Sequence, residues 1–159
     1  MERCSERLVE KLREKGFHIS TAESCTGGMI AAAIVDVPGA SEVFEEGYVT
    51  YSNRVKEKVL GVHSETIKEY TVVSSQVAEE MAFGVQEKTG SELTISVTGY
   101  AGPLDAEDGT KAGTVYIGTC FQGKVCARMF LFEGGRKQVR TQAAKEAVCF
   151  ALERITEGE

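Results

Sequence analysis

The chain has 159 residues, 42% of them hydrophobic and 26% charged, which suits a single globular domain over residues 1–159 with a sizeable core. A formal net charge of -6 and a pI near 5.1 supply no basic field for nucleic acid or an anionic membrane, so neither is an expected partner and an anionic ligand needs a local cluster of cations. The longest apolar run, residues 29–35, is far below the roughly 20 residues that cross a bilayer, and the charged start Met1-Glu2-Arg3 lacks a signal-peptide hydrophobic region, so a cytoplasmic protein is expected.

Residues 2–15 place Leu8, Val9 and Leu12 at helical spacing and stop at Gly16, and residues 17–22 alternate with β-branched side chains, which predicts helix then strand. Residues 29–35 predict a helix apolar on all sides and therefore covered, ending before Pro38-Gly39. A second strand is expected over 44–51 and a short helix over 55–60, closed by Gly61. Ser74 or Ser75 can cap a longer helix with Val77, Ala78, Met81, Ala82 and Val85 on its inner face. Residues 93–98, 113–121 and 124–132 read as strands, the last two a hairpin turning at Gln122-Gly123, and the chain finishes on a helix over about 136–155. This order predicts an α/β fold, a three-layer α/β/α sandwich on a mixed, mostly parallel central sheet of about five strands, with the site in loops after the strands. Five cysteines form an odd number with no Cys-x-x-Cys pair, so reduced thiols are expected, with no disulfide framework and no metal site.

The stretch 21–28, Thr-Ala-Glu-Ser-Cys-Thr-Gly-Gly, stands where the first strand should hand over to a helix. The first N-H groups of a helix lack intrahelical partners, and Gly27-Gly28 let a ligand approach them, so Thr26, Gly27 and Gly28 are candidates to hold an anion or a developing oxyanion. The competing reading makes Ser24 or Thr26 a plain N-cap. The stretch is neither a Gly-x-x-x-x-Gly-Lys-Ser/Thr loop nor a Gly-x-Ser-x-Gly elbow.

A serine nucleophile needs a base. His18 sits several residues from the strand tip and His63 follows a helix end, so a Ser-His-Asp triad is not indicated. Asn53 is a good N-cap and would put Lys56 in the first helical turn, where the helix dipole and partial burial both press the ammonium pKa down toward a usable base. Tyr51, at a strand end, could pass a proton or hold Lys56. A wet surface lysine and a cross-strand aromatic are the alternatives.

Taken together, TAESCTGG, FEEGYVTYSNRVKEKVLGV, SVTGYAGP, GTVYIG and FEGGRKQVR, in this order and spacing, resemble the C-terminal domain of the CinA family, the nicotinamide-nucleotide amidases, over nearly the whole chain. The resemblance implies an α/β/α fold and cofactor-free hydrolysis of the carboxamide of nicotinamide mononucleotide to nicotinate mononucleotide and ammonia. It puts the family's catalytic serine, tyrosine and lysine on Ser24, Tyr51 and Lys56. A small-molecule substrate and a homo-oligomer are therefore the expected partners, in a stand-alone form of the domain.

The substrate's phosphate calls for local cations, and Arg136 and Arg140 share one face at the start of the last helix; surface arginines are the other reading. Asn53 and the strand end Thr98-Gly99-Tyr100-Ala101-Gly102-Pro103 complete the candidate contacts, Gly99 and Gly102 allowing a ring or ribose against the backbone. The chain departs from the family pattern at Tyr100, where isoleucine is usual, and at residues 104–113, where a glycine-rich loop and a proline are replaced by a loop carrying Asp105, Glu107 and Asp108. Two rivals stay open: a cysteine hydrolase using Cys25, and a nucleotide-binding or interaction module without chemistry.

Overall fold

The computed structural model describes residues 2–158. Helix α1 (Glu2–Lys15) is followed by strand β1 (Ile19–Glu23), helix α2 (Met29–Val35), a 3₁₀ turn (Ala40–Glu42) and strand β2 (Phe44–Val49). Helices α3 (Asn53–Leu60), α4 (Ser64–Tyr70) and α5 (Ser75–Thr89) lead to strands β3 (Leu93–Gly99), β4 (Thr114–Phe121) and β5 (Lys124–Leu131), and helix α6 (Arg136–Glu157) ends the chain.

The five strands form one sheet in the order β2-β1-β3-β4-β5. The β2-β1 and β1-β3 pairs are parallel and the β3-β4 and β4-β5 pairs antiparallel, so four of the five strands point the same way. The segments that leave β1, β2, β3 and β5 consequently gather on one edge of the sheet. Helices α1, α2 and α6 cover one face and α3, α4 and α5 the other, giving the three layers.

The alternation within β3 shows how the two faces differ. Leu93, Ile95 and Val97 point into the large apolar cluster with Leu8, Leu12, Ile30, Val139 and Ala143. Thr94, Ser96 and Thr98 face the other way, and their hydroxyls donate to the carbonyls of Ala82, Ala78 and Val72 at 2.7, 2.5 and 2.9 Å. Small residues there allow close approach: a Cβ on Gly118 would collide with Ala78 O, and one on Gly84 with Leu60 O.

Four expectations need correction, and helix α4 is an element the sequence did not announce. Helix α2 is not covered on all sides, since Ala32 is exposed and Val35 is 57% exposed; Ile30, Ala33 and Ile34 alone are buried. Helix α4 has no buried residue and so no apolar stripe to announce it; it is tied to α5 through Glu80, which accepts from Thr66 Oγ1 at 2.7 Å and from His63 N at 2.8 Å. The cap of α3 is Ser52, whose hydroxyl accepts from Val55 N at 3.3 Å, and Asn53 is the first helical residue. The first strand starts at Ile19, after Gly16 and Phe17 have closed α1, because Gly16 N and Phe17 N donate to Arg13 O and Leu12 O. Finally, Cys4 of α1 and Cys149 of α6 form a disulfide with Cα atoms 5.3 Å apart, because the two helices lie side by side on one face; Cys25, Cys120 and Cys126 are free. The hairpin turn does fall on Gln122-Gly123, both at positive φ (49° and 82°), as a two-residue type I′ turn requires.

Candidate active site at the carboxyl edge of the sheet

β1 and β3 are buried at the centre of the sheet, and the ladder between them continues one residue past β1: Ser24 N donates to Val97 O at 3.1 Å. That bond fixes the backbone of Ser24 at the tip of the strand. The chain then turns, Gly27 N donating back to Ser24 O at 3.1 Å with Gly27 and Gly28 at φ 59° and 104°, and α2 begins. Positive φ at both positions is open to glycine at little cost, so the sequence Gly-Gly is what allows the turn to be this tight.

Across β2, Ser52 starts α3 and places Lys56 at the end of its first turn, with 1% of its surface exposed. Lys56 Nζ lies 3.0 Å from Ser24 Oγ and 3.0 Å from Tyr51 O. Both neighbours are uncharged oxygens, which replace part of the lost water but bring no counter-charge to the ammonium. Burial pushes its pKa from 10.5 down to about 8, with Cys25 opposing slightly. Ser24 itself is buried but for 8% of its surface, and that opening faces a cavity.

The cavity has a volume of about 270 Å³. Ser24, Cys25 and Lys56 form its floor, Thr98 to Gly102 one wall, and Val72 and Val73 another. Tyr51, Asn53, Leu104 and Arg136 stand at the rim. Gly99 could carry no side chain, because a Cβ would lie 2.7 Å from Val115 Cγ2. Thr98, at 1% exposure, is part of the frame as well as the wall, since it donates to Val72 O. Val72 and Val73 are wall residues that sequence reasoning missed; nothing in their local pattern marks them, and they follow Thr71, whose φ of 67° is rare for a β-branched residue.

Some expected contacts lie elsewhere. The Tyr51 ring is 60% exposed and its hydroxyl accepts from Arg136 Nη2 at 3.0 Å, so only the carbonyl of Tyr51, not its phenol, meets Lys56. Arg136 also donates to Gly102 O at 3.0 Å, which ties the start of α6 to the loop after β3. Arg140 is one turn further along α6 and reaches the back of the serine turn instead of the cavity, donating to Cys25 O at 2.8 Å and Thr26 O at 3.1 Å. Thr26, Gly27 and Gly28 do not line the cavity either. Thr26 Oγ1 and Gly28 N donate to the carboxylate of Glu23, at 2.5 and 3.0 Å, as do Ile30 N and Ala31 N at 3.1 and 2.8 Å. The start of α2 is therefore satisfied by the protein's own acid, which sequence reasoning overlooked although an acid beside a helix start has a physical rationale.

Three further groups bear on the chemistry. Cys25 lines the floor, but burial pushes its thiol up to about 11, away from the thiolate a nucleophile needs. Neither His18 nor His63 lines this cavity; they lie near Glu92 and Glu80. Asp105 and Asp108 turn onto their own loop, accepting from Ala112 N and Thr110 N at 2.8 and 2.9 Å; the Ala112 N-H holds the Asp105 carboxyl below its usual range, and the Thr110 hydroxyl and then its N-H do the same for Asp108. Tyr100, by contrast, does line the cavity. A larger groove of about 770 Å³ runs over α5 past Val59, Phe83 and Val125, and it contains no nucleophile beside a base. Among the described residues no cluster of His, Cys, Asp or Glu is arranged to hold a metal ion, and no helix is long and apolar enough to cross a membrane.

Comparison with known proteins places the fold and the chain in a family. The family model of the CinA C-terminal domain matches residues 1–155. A CinA-like protein of Kosmotoga olearia is 42% identical over 149 residues, which are 94% of this chain and 36% of that protein, so the chain spans about a third of the length of such relatives. Among solved structures, the competence damage-inducible protein A (ComA) of Klebsiella pneumoniae superposes with a TM-score of 0.96 at 33% identity, covering 99% of this chain and 98% of that one. A competence-damaged protein (CinA) superfamily protein of Escherichia coli gives a TM-score of 0.90 at 34% identity over 99% and 90% of the two chains. Fold, motif order and sequence likeness over nearly every residue agree, and the chain belongs to the CinA C-terminal domain family.

Proposed function

We propose that this chain is a serine amidohydrolase that converts the carboxamide of nicotinamide mononucleotide to the carboxylate, releasing ammonia, with Ser24 as nucleophile and Lys56 as base. The observation that carries this reading is the 3.0 Å separation of Ser24 Oγ and Lys56 Nζ on a buried cavity floor. With its pKa near 8, a useful fraction of Lys56 is an uncharged amine close to neutrality.

In this mechanism neutral Lys56 takes the Ser24 hydroxyl proton as Oγ attacks the carboxamide carbon. The carbonyl oxygen becomes an oxyanion, for which Cys25 N-H, in the residue next to the nucleophile on the cavity floor, is the proposed donor; the N-H groups of Ser24, Gly27 and Gly28 are engaged with Val97, Ser24 and Glu23. Lys56 returns the proton to the leaving nitrogen, ammonia departs, and an acyl-serine remains. A water molecule, deprotonated by the same amine, then cleaves the ester to give the acid and restore Ser24. At the rim, Arg136 supplies a cation for the phosphate, and the Tyr51 hydroxyl holds its guanidinium.

A thiol mechanism is disfavoured by the raised pKa of Cys25. An amidase for a different amide draws support from Tyr100, which lines the cavity where the resemblance leads one to expect isoleucine. The test is ammonia release from nicotinamide mononucleotide by wild type, Ser24→Ala and Lys56→Ala protein. Release by wild type and none by either variant is expected. A silent wild type defeats the substrate assignment, and an active Ser24→Ala protein defeats the nucleophile.

A further inference from the structure

We infer that Glu23 is a positioning residue for the nucleophile: its buried carboxylate holds the turn that carries Ser24. This inference rests on Ser24 as nucleophile, but not on the identity of the amide.

The backbone of Glu23 is fixed from both sides. It pairs with Val49 of β2 and Val97 of β3, and its carbonyl accepts from Thr50 N at 2.8 Å. From this fixed point the side chain crosses to α2, where 1% of the residue is exposed. Oε2 accepts from Thr26 Oγ1, Gly28 N and Ile30 N, and Oε1 accepts from Ala31 N. Strand end and helix start are thereby joined by one side chain, and the only residues between them are those of the turn. Arg140 closes the turn from outside through the carbonyls of Cys25 and Thr26. Ser24 has its N-H on β3 and its carbonyl on Gly27, so every backbone direction around the nucleophile is spoken for.

Two consequences distinguish this arrangement from ordinary helix capping. A side-chain cap satisfies one or two N-H groups from the residue next to the helix, whereas here a residue five positions before Gly28 serves three backbone donors and a hydroxyl. A helix of seven residues is also too short to hold its own start, so the carboxylate sets where α2 begins and with it the path from Ser24 to Gly28. The built-in acid further means that the start of α2 is not available to the substrate's phosphate, and the anion must be met at the rim by Arg136.

The experiment compares wild type with Glu23→Gln, Thr26→Val and Thr26→Ser. Glutamine keeps the shape but cannot accept with both ends, valine removes the hydroxyl bond alone, and serine restores it. Folded fraction is taken from thermal melting, steady-state kinetics from ammonia release on nicotinamide mononucleotide, and the reactivity of Ser24 from its rate of labelling by a fluorophosphonate, read by mass spectrometry. Misplacing a nucleophile by about 1 Å costs about 10²-fold, so folded Glu23→Gln should lose about that factor in both kcat and labelling rate while KM stays within about threefold. Thr26→Val should lose about tenfold, and Thr26→Ser should behave as wild type within about twofold. The rise of kcat through pH 8 should stay in place in all of them, because Lys56 is untouched. Wild-type labelling rate and kcat in folded Glu23→Gln would overturn the inference; should that variant not fold, unchanged values in Thr26→Val would do so. A wild type that labels at Ser24 but releases no ammonia defeats the substrate assignment alone, and the labelling rates still decide the role of Glu23. A wild type that does not label at Ser24 defeats the nucleophile and this inference together.

Discussion

The floor and the rim of the cavity are built on opposite physical terms. On the floor, Ser24, Cys25 and Lys56 are 8%, 4% and 1% exposed, and they are held by bonds to β3, to the serine turn, to Arg140 and to one another. At the rim, Tyr51 and Leu104 are 60% and 83% exposed, and Arg136 holds to Tyr51 and Gly102 through single hydrogen bonds that water can replace. Under the proposed function the difference separates two tasks. Chemistry needs a fixed nucleophile and a desolvated amine, while recognition of a charged tail needs cations that remain wet until the ligand arrives.

The comparison breaks first, and hardest, at the floor. Ser24→Ala and Lys56→Ala should each lower kcat by about 10³-fold or more with little change in KM, measured as ammonia release, because residues that act as one unit fail together. The double variant should be no worse than either single one. A double variant that lost the product of the two factors would mean that Ser24 and Lys56 act independently, despite the 3.0 Å between them.

At the rim the same logic predicts the reverse split. Arg136→Ala removes a charge-assisted contact worth about 1.5–3 kcal/mol, so KM should rise by about 10- to 100-fold while kcat falls by less than about threefold. Raising the ionic strength should weaken wild-type binding and leave the variant nearly unchanged. If Arg136→Ala instead cost kcat alone, the guanidinium would belong to the chemistry and the division between floor and rim would be wrong.

Lys56 also makes the floor sensitive to pH, in a direction that can be worked out. In the proposed mechanism the amine is the working form, and with a folded pKa of about 8, below the ordinary 10.5, kcat should fall by about tenfold for each unit below pH 8. For stability, the unfolded chain binds more protons between pH 8 and 10.5, and the Lys56 contribution therefore grows as pH rises through that window. Below pH 8 the buried ammonium costs on the order of 3 kcal/mol. Lys56→Met should be free of that slope in a pH series of denaturant melts, and an unchanged slope would locate the titration elsewhere.

How much of this the sequence disclosed follows from what each residue touches. The placement of Ser24 at a strand-to-helix turn and of Lys56 in the first turn of a helix was legible from local signals, but those signals left a plain cap and a surface lysine open, and only the resemblance joined the two residues. The inner face of α5 was likewise legible from local signals, with Val77, Ala78, Met81, Ala82 and Val85 all buried at helical spacing. Glu23 was not, because an acid at a strand end reads as solvated until α2 is seen lying over it. Arg140 was misread beside Arg136, since a shared helix face does not fix depth, and one turn of α6 separates the cavity rim from the back of the serine turn. The Cys4–Cys149 link was invisible for a related reason: it joins residues 145 positions apart that meet only because α1 and α6 pack together. Helix α4 left no trace, as it has no fully buried residue and Ile67 alone packs against the apolar cluster beneath it.

Tyr51 offers the smallest effect and the finest test of the boundary. Its carbonyl belongs to the floor, through Lys56, and its phenol to the rim, through Arg136. Tyr51→Phe keeps the carbonyl and the ring while deleting one exposed hydrogen bond, worth about 0.5–1.5 kcal/mol at most. The expected outcome is a rise in KM of about two- to tenfold with kcat and its dependence on pH unchanged. A proton relay through the phenol would behave differently: kcat would fall and the limb near pH 8 would move, because the group coupled to Lys56 would be gone. Measuring both parameters across pH 6 to 10 therefore decides whether the side chain of Tyr51 handles protons or only holds Arg136, and the 3.0 Å contact with Nη2 favours the second.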